Sequence, residues 1–156
     1  MGGRRQLIDG IFGARSLTVA VLYRALPLTA TLPALTWTFM LLGILAVALG
    51  SAVGGSARFV LSVASIRWFG PAFPYGTLAI NVAGSFLIGW IFTATAPGAR
   101  WETQLTTRQF LMSGICGGFT TFSAFSLETL NLARDGETGR AVLYVMLSLV
   151  LCVLAA

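Results

Sequence analysis

One short stretch, GGFTTFSAFSLE at residues 117–128, concentrates the residue types of this chain that are able to do chemistry. Glycine and β-branched threonine both disfavour a helix, so Gly117 to Thr120 predict a helix break. The carbonyl oxygens at such a break suit a hard cation. Phe122 and Phe125 lie three residues apart and share a face once the helix resumes. Because a phenyl ring is positive at its edge, these two rings suit a small, partly dehydrated anion.

Polar residues also occur inside or beside other apolar segments. Asn81 either lines a polar path or forms an interhelical hydrogen bond, and the residue alone favours neither interpretation. Tyr144 and Ser148 lie four residues apart and share a helical face, where interhelical hydrogen bonding is again the alternative. Arg58 is favoured as a snorkelling interfacial cation over a cation that draws anions to a pore mouth. Glu128 is expected to be an interfacial carboxylate.

These residues fall in or beside four long apolar blocks, which are the elements that must position them. The blocks cover residues 36–57, 75–96, 109–128 and 138–156. Hydrophobic residues make up 56% of the chain and charged residues only 10%, with a mean hydropathy of +0.86. Composition and block length together are typical of membrane helices. We therefore predict an all-α membrane protein with four transmembrane helices and a break in the third.

The charged residues argue against a nucleic-acid partner. All ten basic residues are arginine, set against five acidic residues, and the arginines are spread singly between the apolar blocks. This spacing favours contacts with lipid headgroups over nucleic acid. The loops show no steep arginine bias, which fits either insertion in both orientations or one weakly biased topology. Cys116 and Cys152 are interpreted as small buried hydrophobic residues.

Small residues recur at a spacing of four in three of the apolar blocks. The pairs are Gly50 and Gly54, Ser85 and Gly89, and Gly114 and Gly118. Helices in a membrane associate through close backbone contacts, which small residues permit. The three pairs predict a tightly packed bundle or a dimer.

Residues 1–36 differ from the rest of the chain, because they hold four arginines and an aspartate. They could form an interfacial amphipathic helix or a targeting segment, or they could precede a natural start at Met40. We interpret them as a peripheral or disordered N-terminal extension without a core function. Residues 37–156 then form the membrane domain.

Four motifs together resemble the Fluc (CrcB-type) fluoride channels, a family of small four-span membrane proteins. The motifs are GGSARF at residues 54–59, PYGTLAINVAGSFLIG at 74–89, GICGGFTTFSAFSLET at 114–129 and YVMLS at 144–148. The combination of GTLxxN with GGxTTFSxF is highly specific for this family. The resemblance implies a four-helix channel domain that passively exports cytoplasmic fluoride and so lowers its toxicity.

The resemblance also implies roles for individual residues. The residues lining the fluoride pore would be Asn81, Phe122, Phe125, Thr121, Ser123, Tyr144 and Ser148. Arg58 would lie at the pore entrance, and the backbone carbonyls of Gly117 and Thr120 from both subunits would hold a structural Na⁺ ion at the dimer centre. The assembly implied is a dual-topology antiparallel homodimer, multi-pass in the inner (plasma) membrane.

Two positions depart from the family pattern. Ala124 stands where a second threonine or serine is usual, and Cys152 stands where a serine often extends the polar track. Each change removes a hydroxyl group that could influence the conduction rate. Neither change alters Asn81 or the two rings at Phe122 and Phe125.

Two other functions compete with a channel. A small four-span proton-coupled multidrug or cation exporter needs a membrane-embedded carboxylate, and the first two apolar blocks contain no acidic residue. A scaffold protein without transport would explain Asn81 as an interhelical contact but would not explain the TTFSAF cluster. Because the chain has no histidine and no embedded pair of acids, we predict that it is not an enzyme.

Overall fold

A computed structural model describes the backbone of residues 28–156 and the side chains of residues 36–156. Most of the predicted N-terminal extension, residues 1–36, therefore lies outside the described residues. The chain divides into two compact units, Met1–Met40 and Leu41–Ala156. Every contact reported below lies within the second unit.

The described part of the chain is helical throughout, apart from short connections. Its elements are α1 (Leu28–Phe69), α2 (Tyr75–Ala94), α3 (Leu105–Arg108), a π-helical segment (Gln109–Cys116), α4 (Gly117–Phe119), α5 (Phe122–Arg134) and α6 (Thr138–Ala155). Four stretches are long and apolar enough to cross a membrane, namely Thr36–Phe69, Tyr75–Ala94, Leu105–Arg134 and Thr138–Ala155. The predicted all-α protein with four membrane-spanning helices is confirmed.

The first helix is longer than the apolar block that predicted it. It continues past residue 57 without interruption and ends at Phe69, so that Arg58 and Arg67 are helical residues. Gly70 then adopts a left-handed conformation with φ of 72°, which ends the helix at little steric cost. Pro71 follows in the connection, and α2 begins directly after Pro74.

The third span is interrupted, as predicted, but the break lies later than the glycines. Gly117–Phe119 is helical, and the two residues outside the helix are Thr120 and Thr121. Both have extended backbone conformations, with ψ of 156° and 116° respectively. The prediction that Gly117 itself begins the break is therefore wrong, because the extended backbone starts only at the β-branched pair. The wider π-helical turns just before the break were not predicted.

Close packing between α1 and the third span explains the spacing of the small residues. A β-carbon placed on Gly50 would lie 2.8 Å from the α-carbon of Gly114, and one placed on Gly118 would lie 2.8 Å from the α-carbon of Ser51. A β-carbon on Gly54 would overlap the carbonyl oxygen of Ile115. Two of the three predicted small-residue pairs thus form one backbone-to-backbone contact.

The core of the bundle is small and lies between α2, α5 and α6. It is formed by the buried side chains of Phe125, Leu132, Ala141 and Tyr144, with Phe73, Leu78 and Val145 packed against it. Many large apolar side chains are exposed on the outside of the single chain, as a membrane protein requires.

Candidate functional site

The amide side chain of Asn81 pairs with the backbone of the helix break. Its Nδ2 atom donates to the carbonyl oxygen of Thr121 at 3.0 Å, and its Oδ1 atom accepts from the amide nitrogen of Thr121 at 2.8 Å. Backbone groups freed at membrane depth need such partners, because lipid provides none. The interhelical hydrogen bond considered for Asn81 is therefore present. Asn81 also lines a cavity beside the break.

This pairing redirects two amides away from the carbonyls that they would bond in a continuous helix. The N–H of Thr121 would reach the carbonyl of Gly117 but donates to Asn81 instead. The N–H of Ala124 would reach the carbonyl of Thr120 but donates to the Thr121 hydroxyl at 3.2 Å, which caps α5. The carbonyls of Gly117 and Thr120 are thus without their usual helical donors.

The carbonyl of Gly118, which lies between these two residues in sequence, accepts a hydrogen bond from a side chain. Arg58 donates from Nε to the carbonyl oxygen of Gly118 at 3.2 Å, across the contact between α1 and the third span. The favoured interpretation of Arg58 as a snorkelling interfacial cation is thus incomplete, because its guanidinium makes a specific bond to the break.

Three aromatic rings form a line from the break into the core. The rings of Phe122 and Phe125 have centroids 5.3 Å apart, and those of Phe125 and Tyr144 have centroids 5.2 Å apart. Their exposure differs sharply, since Phe122 is 75% exposed in the single chain whereas Phe125 is 9% and Tyr144 is 0% exposed. Phe125 and Tyr144 are therefore fixed by the core, while Phe122 projects from it.

Glu128 joins three helices by hydrogen bonds, although the sequence suggested an interfacial carboxylate. One carboxylate oxygen accepts from the Thr77 hydroxyl of α2 at 2.7 Å, and the other accepts from the Tyr144 hydroxyl of α6 at 2.8 Å. The sequence analysis did not single out Thr77. Its position four residues before Asn81, on the same face of α2, is the signal that could have identified it.

Two cavities adjoin the break. The first, which we call the apolar cavity, has a volume of about 320 Å³ and includes Asn81, Phe122 and Ser148 among its lining residues. The second, the charged cavity, has a volume of about 610 Å³ and includes Arg58 and Glu128. Thr121 lines both cavities, so the Asn81–Thr121 pair lies where they approach each other.

The predicted site residues are distributed unequally over these cavities. Seven of them line the apolar cavity: Asn81, Gly117, Thr120, Thr121, Phe122, Phe125 and Ser148. Arg58 lines the charged cavity. Ser123 and Tyr144 line neither, since the Ser123 hydroxyl lies 3.1 Å from the Thr121 hydroxyl on the exposed side of α5 and Tyr144 is fully buried.

The fold and this site define a multi-pass helical membrane protein with polar side chains gathered at a helix break. Residues 45–156 match the family described as CrcB-like protein, Camphor Resistance (CrcB). The chain belongs to this family.

Similar proteins carry a more specific name. A protein of Opitutus terrae named "Fluoride-specific ion channel FluC" is 54% identical over 109 residues, which cover 70% of this chain and 83% of the relative. A protein of the same name from Nitrobacter winogradskyi is 50% identical over 117 residues, covering 75% and 88% respectively. A third, from Methylocella silvestris, is 50% identical over 107 residues, covering 69% and 82%. The predicted family is confirmed, and the prediction that the chain is not an enzyme agrees with relatives named as ion channels.

Proposed function

We propose that this chain forms a passive, fluoride-selective channel that lets cytoplasmic fluoride leave the cell. The observation that carries the proposal is the Asn81–Thr121 pair, which lies beside two aromatic rings where two cavities approach each other. Relatives that are about half identical to this chain are named as fluoride-specific ion channels. The protein acts in the inner membrane of the cell as a multi-pass protein.

The path of fluoride is proposed to run past the break. Arg58 draws the anion into the charged cavity, and the Thr121 and Ser123 hydroxyls beside the break replace part of its hydration shell. The edges of Phe122 and Phe125 and the amide of Asn81 then hold the ion without a full positive charge, which would bind it too tightly. Ser148 continues the path in the apolar cavity. Tyr144 supports it from the core by fixing Phe125 and Glu128.

The direction of transport follows from acid–base chemistry. Hydrogen fluoride is a weak acid that crosses membranes in its neutral form and releases fluoride at the pH of the cytoplasm. Because cells are negative inside, the trapped anion leaves through a passive pore down its electrochemical gradient. Such export lowers the toxicity of fluoride without a proton or nucleotide cycle.

A structural Na⁺ ion fits the break. Hard cations prefer oxygen ligands such as backbone carbonyls. The carbonyls of Gly117 and Thr120 lack their usual helical donors, since the Thr121 and Ala124 amides bond elsewhere. These two carbonyls would hold the ion, and when bound it would fix the geometry of the break.

A homodimer would supply the remaining ligands of this ion and cover exposed apolar surface. Phe122 is 75% exposed and Gly117 is also exposed in the single chain, although both belong to the proposed site. A second copy packed on this face would enclose both residues. The weak arginine bias between the loops fits an antiparallel pair with dual topology.

The proposed channel domain covers residues 37–156, and residues 1–36 are a peripheral extension. A variant without residues 1–36 is expected to release fluoride from liposomes at the rate of the full chain. A loss of release in this variant, with the protein still folded, would assign the extension a role in conduction.

The experiment that tests the channel is anion efflux from liposomes that contain the purified protein. Fluoride is expected to leave without chloride, at a rate set by the membrane potential and unaffected by collapsing a proton gradient. Fluoride release that requires a proton gradient would instead support a coupled exporter. Empty liposomes and liposomes with heat-denatured protein are the controls.

The sodium and dimer proposals need separate measurements. Thermal unfolding in detergent is expected to occur at a lower temperature when Na⁺ is replaced by choline. A substitution at the neighbouring Gly118, such as Gly118→Ala, is not a suitable control for this measurement, because it disturbs helix packing. Equal unfolding temperatures in the two salts would contradict the ion site. Light scattering of the purified protein is expected to give the mass of two chains, and the mass of one chain would exclude the homodimer.

A further inference from the structure

Both cysteines of this chain line the apolar cavity. Cys116 ends the π-helical segment and Cys152 lies on α6, and both are free thiols. Cys116 is 2% exposed, whereas Cys152 is partly exposed. The fold therefore brings two cysteines that are 36 residues apart in sequence to the wall of one cavity of about 320 Å³.

A buried hydroxyl lies beside them. Ser148 is 6% exposed, and its Oγ atom has no hydrogen-bond partner among the residues that the structure describes. It precedes Cys152 by four residues, so both project from the same face of α6, and both line the apolar cavity. A buried hydroxyl with unused bonding capacity can accept a hydrogen bond from water or act as a ligand to an ion.

The chemistry of the lining selects the kind of ligand. No acidic or basic side chain is among the residues that line the apolar cavity. Hard divalent cations prefer carboxylates, which this lining lacks, and the free carbonyls of Gly117 and Thr120 are already assigned to the proposed Na⁺ site. Thiolates select soft cations such as Cu⁺. The two sulfurs at the edge of an apolar space thus favour a soft monovalent cation.

We propose that a soft monovalent cation, such as Ag⁺ or Cu⁺, binds in the apolar cavity through the sulfur atoms of Cys152 and Cys116. Each thiol releases its proton to solvent as its sulfur–metal bond forms, and neither the sulfur nor the metal changes oxidation state. The Ser148 hydroxyl oxygen serves as a weaker third ligand.

The bound cation would block the channel. The apolar cavity also includes Asn81, Phe122 and Phe125, so a metal held there occupies the proposed path of fluoride. This consequence rests on the proposed function, whereas binding of the metal does not. Fluoride export by this chain would then be sensitive to soft metals at a site made by its own cysteines.

Binding is tested by calorimetric titration of the full chain in detergent with silver nitrate in a chloride-free buffer. One Ag⁺ per chain is expected, and Cys152→Ser or Cys116→Ser should weaken binding by about 100-fold, the upper range seen when support for a bound metal is removed. Binding of two Ag⁺ per chain, with one site unchanged in each single variant, would overturn the shared site. If Cys116→Ser does not fold, the Cys152→Ser variant decides by itself: an unchanged affinity for Ag⁺ would overturn the shared site.

Block is tested by fluoride efflux from liposomes in nitrate medium, with each variant compared with its own rate without Ag⁺. Wild-type efflux is expected to fall at least about tenfold at a saturating Ag⁺ concentration, and the Cys152→Ser variant should keep its rate at that concentration. Tight Ag⁺ binding with unchanged wild-type efflux would overturn the block. If the wild type releases no fluoride at all, the proposed function fails, and the titration still decides whether the metal site exists.

Discussion

The two cavities beside the helix break share Thr121 but differ in chemistry. The charged cavity is lined by side chains of both signs, since two arginines, Arg58 and Arg140, face three acidic residues, Glu128, Asp135 and Glu137. The apolar cavity has no charged lining residue, so an ion there must exchange water for ring edges and a few hydroxyls. On the proposed path, capture and dehydration of the anion would therefore occur at separate places, joined by the Asn81–Thr121 pair.

The largest effect is expected when that pair is changed. In Asn81→Asp the side chain can no longer donate to the Thr121 carbonyl, which leaves a buried acceptor unsatisfied at a cost of about 1–3 kcal/mol. Fluoride efflux should fall by roughly 30-fold or more, the factor that about 2 kcal/mol represents. The protein should remain folded, with a lowered thermal unfolding temperature in detergent.

Asn81→Ala is the companion variant, because it removes both bonds to Thr121 without adding a charge. Both variants are expected to lose efflux. Normal efflux in both variants would show that conduction does not depend on the Asn81–Thr121 hydrogen bonds. The ion path would then not pass from one cavity to the other at this pair.

The next effect distinguishes the two rings. Phe122→Ile removes an exposed ring and should reduce fluoride efflux by about tenfold, because edge contacts with aromatic rings contribute about 0.5–1.5 kcal/mol. The unfolding temperature should barely change. Phe125→Ile, in contrast, alters a buried core ring and should lower both efflux and stability.

If the two isoleucine variants behave alike in both measurements, the distinction between an ion-facing ring and a core ring is wrong. Efflux and thermal unfolding measured on the same preparations provide the comparison. Phe86→Ile, at another exposed apolar position on α2, controls for a change on the outer surface.

A smaller effect is expected in the charged cavity. Arg58→Gln removes the positive charge and should reduce efflux by about fivefold at low ionic strength, and by less at high ionic strength, because salt screens attraction. Arg67→Gln, an exposed arginine later on α1, is the matched control and should leave efflux unchanged. An Arg58→Gln effect that does not depend on salt would assign Arg58 to the structure of the break, through its bond to Gly118.

The smallest effect is expected at Tyr144. Tyr144→Phe removes one of the two hydroxyl groups that donate to Glu128, so the unfolding free energy should fall by about 1 kcal/mol. Efflux should change less than in the Asn81, Phe122 or Arg58 variants, because Tyr144 lines neither cavity. Thermal unfolding and efflux check this, with the half-exposed Tyr75→Phe as control. A loss of efflux as large as that of Phe122→Ile would place Tyr144 directly on the ion path.

The four spans could be predicted because their apolar blocks match the thickness of a membrane, and no tertiary contact is needed to recognise them. The close contact of Gly50 and Gly54 with the third span could be predicted for a similar reason, since the spacing of small residues is a local pattern. The π-helical segment Gln109–Cys116 could not be predicted, because the seven apolar and small residues that follow Gln109 fit either helical period equally well. Arg58 and Glu128 were placed at interfaces because charge alone indicates depth, whereas their bonds depend on which helices become neighbours.

The bonds at the break also have a consequence for biosynthesis. Ribosomes make α2 before the third span, so Asn81 is already in the membrane when Thr121 arrives. If the break were open before the two helices meet, the Thr121 amide and carbonyl would have no hydrogen-bond partner in lipid, and each would cost several kcal/mol at that depth. The third span is therefore expected to insert as a continuous helix and to open at Thr120 and Thr121 only when it docks against α2. The extended backbone at Thr120 and Thr121 would then form only in a third span that has packed correctly against α2.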